Sequence, residues 1–332
     1  MLLSFIIPVY NCEQYLGRNL DIIYGSDLDV DDFEIVLIDD GSSDSSAIIC
    51  QWYVAEKGNV VYLSQKNQGP ATARNTGLNS AKGEYVWFVD ADDKIEASII
   101  PRLKSIITAD KKTDLVSFGY VTQYPEHTKQ MTVVKETYYC SGIEFLQLPH
   151  HGNYLWNNIY RRAAIGKVRM LDGVSHIEDA CFNFQTIINF ERVVVLPDIG
   201  YYYNRLNVNS ISNKGCLRDR VKANEDSFKV YKALYQDMLN AKNGSHRALL
   251  QKVLNFNVNA HIFTMMKFDN VRTIRKYIAQ YKEMGLYPIE TTGNKKADMF
   301  LHVANQEWLL LLILKTGVLL KKYIYSYKHR KI

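Results

Sequence analysis

Four short runs in the first ninety positions, LLSFIIP (2–8), FEIVLID (33–39), VVYLS (60–64) and YVWFV (85–89), barely alternate between apolar and polar residues. A strand with one wet face alternates, whereas a strand covered on both faces reads as a nearly continuous apolar run. The stretches between the runs, 13–25, 43–57 and 70–82, predict helices. SSD at 42–44 offers capping residues for the second, and Pro70 suits a first helical turn, where it has no needed N–H to lose. Strands alternating with helices predict an α/β protein with a mostly parallel sheet and helices on both faces. Ligands of such sheets sit beyond the carboxyl ends of the strands. Asp39 and Asp40, and the cluster Asp90, Asp92 and Asp93, fall at such ends.

From about 110 to 215 the pattern is mixed, with strands expected at DLVSFGYV (114–121) and QMTVVKETYY (130–139). From 217 to 285 it becomes helical, broken at KNGS (242–245). The expected organisation is an α/β domain over 1–215, a helical region over 216–305 and a basic amphipathic segment over 306–332.

Composition narrows the class only slightly. Of the 332 residues, 47% are hydrophobic and 23% charged, which excludes wholesale disorder. The five cysteines (Cys12, Cys50, Cys140, Cys181 and Cys216) are scattered, with no Cys-x-x-Cys pair. They suggest a reducing compartment rather than a disulfide frame or a zinc site. The start, MLLSFIIPVY, has no basic leader and no small-residue cleavage site, so no secretory signal is read there. The net charge of +5 is local: residues 315–332 hold Lys315, Lys321, Lys322, Lys328, Arg330 and Lys331 and no acid, leaving −1 for the remainder. A nearly neutral body argues against a nucleic-acid partner and points to a partner met by the tail alone.

Three carboxylates within four positions repel one another, and burying them unpaired is costly. Asp-x-Asp at a strand end suits a hard cation such as Mn2+ or Mg2+, which shares its shell with substrate phosphates and water. The bland alternative is a solvated turn with a capping Asp. PVYN (8–11) and LIDDGSSD (37–44) are equally two-sided. Tyr10 offers a flat face for a base, Asn11 can cap the following helix, and Asp39 or Asp40 can accept the imide N–H of uracil; both segments also have ordinary turn chemistry. Within NQGPATARNTG (67–77), Arg74 can reach phosphate oxygens or simply cover the sheet.

Taken in order, PVYN, DDGSSD, NQGPATARNTGL, GEYVWFVDADD, WNNIYRR, HIEDACF and YYYNRLNVNSIS resemble the pattern of glycosyltransferase family 2, inverting nucleotide-sugar transferases of the GT-A fold. The resemblance runs from about Ser4 to Ser212. It implies that Pro8, Tyr10 and Asp40 hold the nucleotide base, with Asp39, Asn67 and Arg74 nearby. It makes Asp90 and Asp92 the ribose and metal contacts, with Asp93 beside them. It assigns the catalytic base to Asp179, next to Glu178, and the wall of the acceptor site to Trp156. Arg205 and Ser210 would lie in a segment that closes on the diphosphate. A carboxylate of ordinary pKa, about 4, does not ionise a sugar hydroxyl beforehand. Asp179 is therefore expected to take the proton as the new bond forms, in a single inverting displacement.

The tail WLLLLILKTGVLLKKYIYSYKHRKI (308–332) mixes apolar residues, tyrosines and lysines. Its unbroken apolar run, 308–314, is far shorter than the roughly 20 residues that span a bilayer. The expected partner is an anionic membrane surface, with the protein peripheral on the cytoplasmic face; a helix packed on the protein's own core, or a contact in an oligomer, is the alternative. The expected substrates are a nucleotide-sugar donor, best a UDP-sugar, and a glycan or lipid-linked acceptor. Two competing functions remain: a sugar nucleotidylyltransferase, disfavoured because PVYNCEQ has no glycine for a phosphate loop, and an inactive transferase-like scaffold at a membrane.

Overall fold

The structure is a computed structural model that describes residues 1–26, 28–148, 154–207, 217–290, 298, 301, 305 and 306. The first four apolar runs form β1 (Leu3–Val9), β2 (Phe33–Asp39), β3 (Val60–Ser64) and β4 (Tyr85–Phe88), and the stretches between them form α1 (Leu16–Tyr24), α2 (Ser46–Glu56) and α3 (Pro70–Ser80). A two-residue β5 (Lys94–Ile95) and α4 (Ile99–Ala109) follow, then β6 (Leu115–Gln123), β7 (Thr128–Met131), β8 (Tyr138–Cys140), α5 (Gly142–Gln147), β9 (Asn158–Arg161), α6 (Arg162–Ile165), α7 (Glu178–Ile187) and β10 (Val193–Asn204). Three further helices, α8 (Leu217–Asn240), α9 (Gly244–Phe268) and α10 (Val271–Glu283), follow.

The ten strands form one sheet in the order β3-β2-β1-β4-β9-β6-β10-β5, with β7 on β6 and β8 on β10. Strands β1 to β4, β6 and β10 share one direction, and β9 enters antiparallel between β4 and β6. This is the GT-A fold, an α/β architecture followed by a helical C-terminal region. The parallel register places Val9 opposite Asp39, and Asp39 opposite Ser64, so these strand ends share one edge. From β1 the chain first builds outward through β2 and β3, then returns to place β4 on the other flank of β1. The crevice beyond β1 and β4 is therefore the topological switch point.

Every residue of β2 is buried, as are Phe5, Ile7, Trp87 and Val89, which explains the lack of alternation. Helix α3 lies close on β1 and β2: a Cβ on Gly77 would come within 2.4 Å of Ile6 Cγ2 and 2.7 Å of Ile38 Cδ1. That close approach, one turn after Arg74, holds the arginine over the strand ends.

Two expectations need correction. The stretch 130–139 is not one strand; only its ends pair, in β7 and β8, and its Val133 and Val134 are half-buried beside no partner strand. The helical region has a second break at Asp269–Asn270, where Asn270 caps α10 by accepting the Thr273 N–H.

By internal contacts the chain divides into two units, Met1–Asp226 and Ser227–Ile332. Within the second, Leu254, Val258, Ile262 and Met265 form the buried stripe of α9. His261 shares a 2.6 Å hydrogen bond with the Tyr281 hydroxyl among the rings of Tyr231 and Tyr277. Among the described residues no helix is long and apolar enough to cross a membrane. The tail 308–332 lies outside them.

Candidate active site

The turns after β1 and β2 are stitched together. Asn11 Oδ1 accepts the Ser43 N–H at 2.8 Å, and Ser42 Oγ accepts the Asn11 N–H at 3.1 Å. Glu13 Oε2 accepts the Ser45 N–H, Asp44 Oδ2 accepts the Glu13 N–H, and Ser46 Oγ accepts the Cys12 N–H. Asn11 thus does not cap α1; it adopts φ 49° and ties its turn to the neighbouring one. The SSD segment ends one residue short of the N-cap of α2, which is Ser45 and makes no side-chain cap bond; Asp44 Oδ1 accepts the Ser46 N–H at the start of the helix. Above these turns Tyr10 is 53% exposed, a flat ring open to a ligand, at the end of the strand that carries Pro8.

Asp39 and Asp40 are both buried, and both already hold the chain. Asp39 accepts the Ser42 N–H at 2.8 Å and the Tyr62 hydroxyl at 3.0 Å. Asp40 accepts Gln65 Nε2 and the Gln68 N–H through Oδ1, and the Gly69 N–H through Oδ2. A carboxylate has about four acceptor positions, so Asp40 has room for one further donor. Gly41 sits at φ +79°, where a Cβ would come within 3.0 Å of the backbone nitrogen of exposed Asn67.

The three acids after β4 point to three different partners. Asp90 Oδ1 accepts Arg74 Nη2 at 2.7 Å, and its N–H donates to the Tyr201 hydroxyl. Asp92 Oδ2 accepts Asn207 Nδ2 at 2.8 Å; burial and then Asp90 raise its pKa above the ordinary range. Asp93 turns inward, 1% exposed, with Oδ1 on the Asn204 N–H at 2.7 Å. Burial, then Asp90 and Asp92, push its carboxyl well upward. Its backbone carbonyl accepts from Arg18 and Asn19 of α1. Its second oxygen, Oδ2, is buried with no hydrogen-bond partner among the described residues.

Arg74 joins this cluster to the acid pair of α7. Its Nη1 lies 3.3 Å from both Glu178 Oε1 and Asp179 Oδ1. Burial alone would weaken the guanidinium's hold on its proton, but Asp90, Asp179 and Glu178 together raise its pKa. Arg74 is thus paired with all three acids. Glu178 and Asp179 open α7 after Ile177 in a left-handed turn (φ 57°), at the helix end where the dipole favours anions. Burial raises the Asp179 pKa well above the ordinary value; Arg74 counters this, while Glu178 and Asp90 add to it.

Trp156 does not line an open site. It is 2% exposed, stacked between Tyr201 and Tyr154 with centroids 4.6 Å apart on each side. Arg205 donates from Nη1 to the Tyr203 hydroxyl and lies 5.8 Å from the centre of that ring. Ser210 lies outside the described residues. Sequence reasoning missed Tyr201, Asn204 and Asn207, although the cluster YYYNRLN holds them, and it missed Asn19, a buried polar residue between Leu16 and Leu20.

Among the described residues, no three His, Cys, Asp or Glu side chains converge tightly enough to enclose a metal. Asp90 Oδ1 is taken by Arg74 and Asp92 Oδ2 by Asn207, which leaves a second, hard oxygen donor on each carboxylate. Such a site fits Mn2+ or Mg2+ whose remaining ligands are diphosphate oxygens and water. A cavity of about 410 Å³ near the amino-terminal ends of β6 and β10 is unrelated to this chemistry; its Arg161 and Arg192 are paired with Asp114 and Asp110.

Residues 4–169, half of the chain, match the profile of "Glycosyl transferase family 2". EpsH of Bacillus subtilis (strain 168), named as a glycosyltransferase, is 31% identical over 217 residues, 63% of this chain and 62% of its own length. The poly(ribitol-phosphate) beta-N-acetylglucosaminyltransferase TarS of Staphylococcus aureus is 27% identical over 251 residues, 73% of this chain and 41% of TarS. The chain thus spans less than two thirds of the length of these relatives. The crystal structure of S. aureus TarS 1-349 in complex with UDP-GlcNAc matches with a TM-score of 0.73 at 20% identity, covering 96% of this chain and 92% of that one. At that identity the likeness speaks for the fold.

Proposed function

The chain belongs to glycosyl transferase family 2, and from that premise we propose that it moves a sugar from a UDP-sugar to a hydroxyl of a glycan or lipid-linked acceptor, with inversion, in cell-surface polysaccharide synthesis. One observation carries the reading. Asp90 and the pair Glu178–Asp179, about ninety residues apart, meet on the single guanidinium of Arg74. This meeting of acids beyond the strand ends supports a reading in which donor-side and acceptor-side chemistry share one crevice at the switch point of the sheet. The relatives support the donor class: TarS is named for transfer of N-acetylglucosamine and was crystallised with UDP-GlcNAc.

In this reading Tyr10 stacks on the base, and the remaining acceptor position of Asp40 takes the uracil imide N–H. Asp92, with Asp90, holds Mn2+ or Mg2+, which when bound screens the charge growing on the leaving diphosphate. The acceptor oxygen bonds to the anomeric carbon as the bond from that carbon to the diphosphate breaks, and the hydroxyl proton passes to Asp179. Arg74 keeps Asp179 and Asp90 in fixed relation during the displacement. The catalytic domain covers 1–215, and the basic tail holds the enzyme to the cytoplasmic face of a membrane. The direct test is a screen of UDP-, GDP- and dTDP-sugars with Mn2+, reading nucleotide release by the full chain. UDP release from one UDP-sugar is expected, and Asp179→Asn should abolish it; no release from any donor would overturn the reading.

A further inference from the structure

The aromatic pile of the first unit ends in a ring to which none of the roles above gives a task. Tyr201, Trp156 and Tyr154 stack face to face, with planes 10° and 14° apart at the two steps. Tyr120 meets both Trp156 and Tyr154 edge-on, and Tyr203 packs against both. Tyr201, Trp156 and Tyr120 are buried, whereas Tyr154 is 37% exposed. Trp156 stacks on the Tyr154 ring and gives it a rigid backing.

The position of that ring is fixed from the backbone. The Tyr154 carbonyl accepts Asn158 Nδ2 at 2.7 Å and Asn183 Nδ2 at 3.1 Å. Asn183 Oδ1 in turn accepts the buried Tyr160 hydroxyl. Asn183 stands four residues after Asp179 on α7, so the two side chains share one face of the helix about 5–6 Å apart. At the other end of the pile the Tyr201 hydroxyl meets the Asp90 N–H. The pile therefore runs from the donor-side acid to the helix that carries the base.

A rigid aromatic face beside a carboxylate base is suited to a pyranose ring. The C–H face of the sugar packs on the ring, and its hydroxyls reach polar groups at the rim. An open-chain polyol phosphate has no such flat apolar face and is recognised by cations instead. We propose that Tyr154 is the acceptor platform, and that it holds a hexopyranose ring of a glycan acceptor with one hydroxyl turned toward Asp179. The proposal rests on the transferase reading and narrows its acceptor class to one with a cyclic sugar at the reacting end.

The test uses the full chain and saturation-transfer NMR with chitotetraose, cellotetraose, maltotetraose and an oligo(ribitol phosphate) as probes, with and without UDP and Mn2+. Ring-proton saturation of at least one oligosaccharide is expected. It should fall about tenfold or more in Tyr154→Ala and Tyr154→Leu and persist in Tyr154→Phe and Tyr154→Trp, while the calorimetric affinity for UDP holds. With an accepted sugar, Tyr154→Ala should raise the acceptor KM far more than it lowers kcat. Unchanged sugar binding in the Ala and Leu variants overturns the platform, as does binding of the oligo(ribitol phosphate) alone. Loss of sugar binding and UDP affinity together in all four variants marks a structural role and overturns it too. Failure of the wild type to bind UDP would instead sink the transferase reading, and the nucleotide-free sugar arm would still decide on Tyr154.

Discussion

Arg74 Nη2 donates to Asp90 Oδ1 at 2.7 Å from a guanidinium that is almost wholly enclosed. The same group faces Glu178 and Asp179. Removing one partner from such a cluster leaves charge buried without compensation. Arg74→Gln should cost about 3–5 kcal/mol, read from urea unfolding. Arg74→Lys keeps the charge but cannot fork to both sides. It should fold nearly as well and turn over about 10²-fold more slowly through misplacement of the acids. Wild-type turnover in Arg74→Lys would show that the bridge positions nothing.

Asp179→Asn keeps the shape of the side chain and removes its capacity to accept a proton. Transfer should fall by about 10²–10⁴-fold with UDP affinity retained. The base must be deprotonated to act, and burial raises its pKa, so the rate should decline as pH falls through a value above the usual 4 or so. An acid limb at or below the ordinary carboxylate range would move the base elsewhere, with Glu178 the first candidate. The product's anomeric configuration by NMR should be opposite to that of the donor.

Asp92→Asn removes one charged oxygen from the site offered to a cation. Activity should be nearly abolished, and excess chelator should do the same to the wild type, with Mn2+ restoring it. Full activity in chelator would refute the metal role.

Asp93 provides a stability test. Its pKa is raised in the folded protein, so the fold holds that proton more tightly than the unfolded chain does. The resulting stabilisation is complete below the unfolded pKa, about 4, and is lost as pH rises through the folded value. Asp93→Asn cannot ionise and can still accept the Asn204 N–H. In metal-free buffer, its stability relative to wild type should therefore improve from pH 5 to pH 8; a gap that does not move with pH would contradict this.

The tail carries six Lys or Arg between 315 and 332. Each contributes about 1 kcal/mol near an anionic surface. Truncation after Gln306 should release the protein from phosphatidylserine vesicles, and raised salt should weaken the full chain's binding. Equal vesicle binding with and without the tail would remove the membrane role.

The parts of this molecule legible in the sequence are those where one physical demand acts alone. Strands β1, β2 and β4 announce themselves because burial on both faces permits little besides apolar residues. Their ends locate the acids at the switch point. Contacts set by how helices rotate and dock are hidden. That Arg74 faces Asp90 and Asp179 depends on α3 settling onto Ile6 and Ile38 at Gly77, a distance no motif encodes. Trp156 reads the same whether it lines a pocket or lies within a pile. The stretch 130–139 has strand-forming residues, yet for most of its length no neighbour offers hydrogen bonds.

The stitching of the turn after β1 to the turn after β2 limits how such an enzyme can be re-engineered or diverge. Asn11 with Ser43, Glu13 with Ser45 and Asp44 with Glu13 are reciprocal, so each turn is the other's template. A graft that imports one turn from a relative leaves polar groups of the other turn without the partners they have here. Successful exchanges should move residues 10–14 and 41–46 as one cassette, and substitutions within either half should covary across the gap between them.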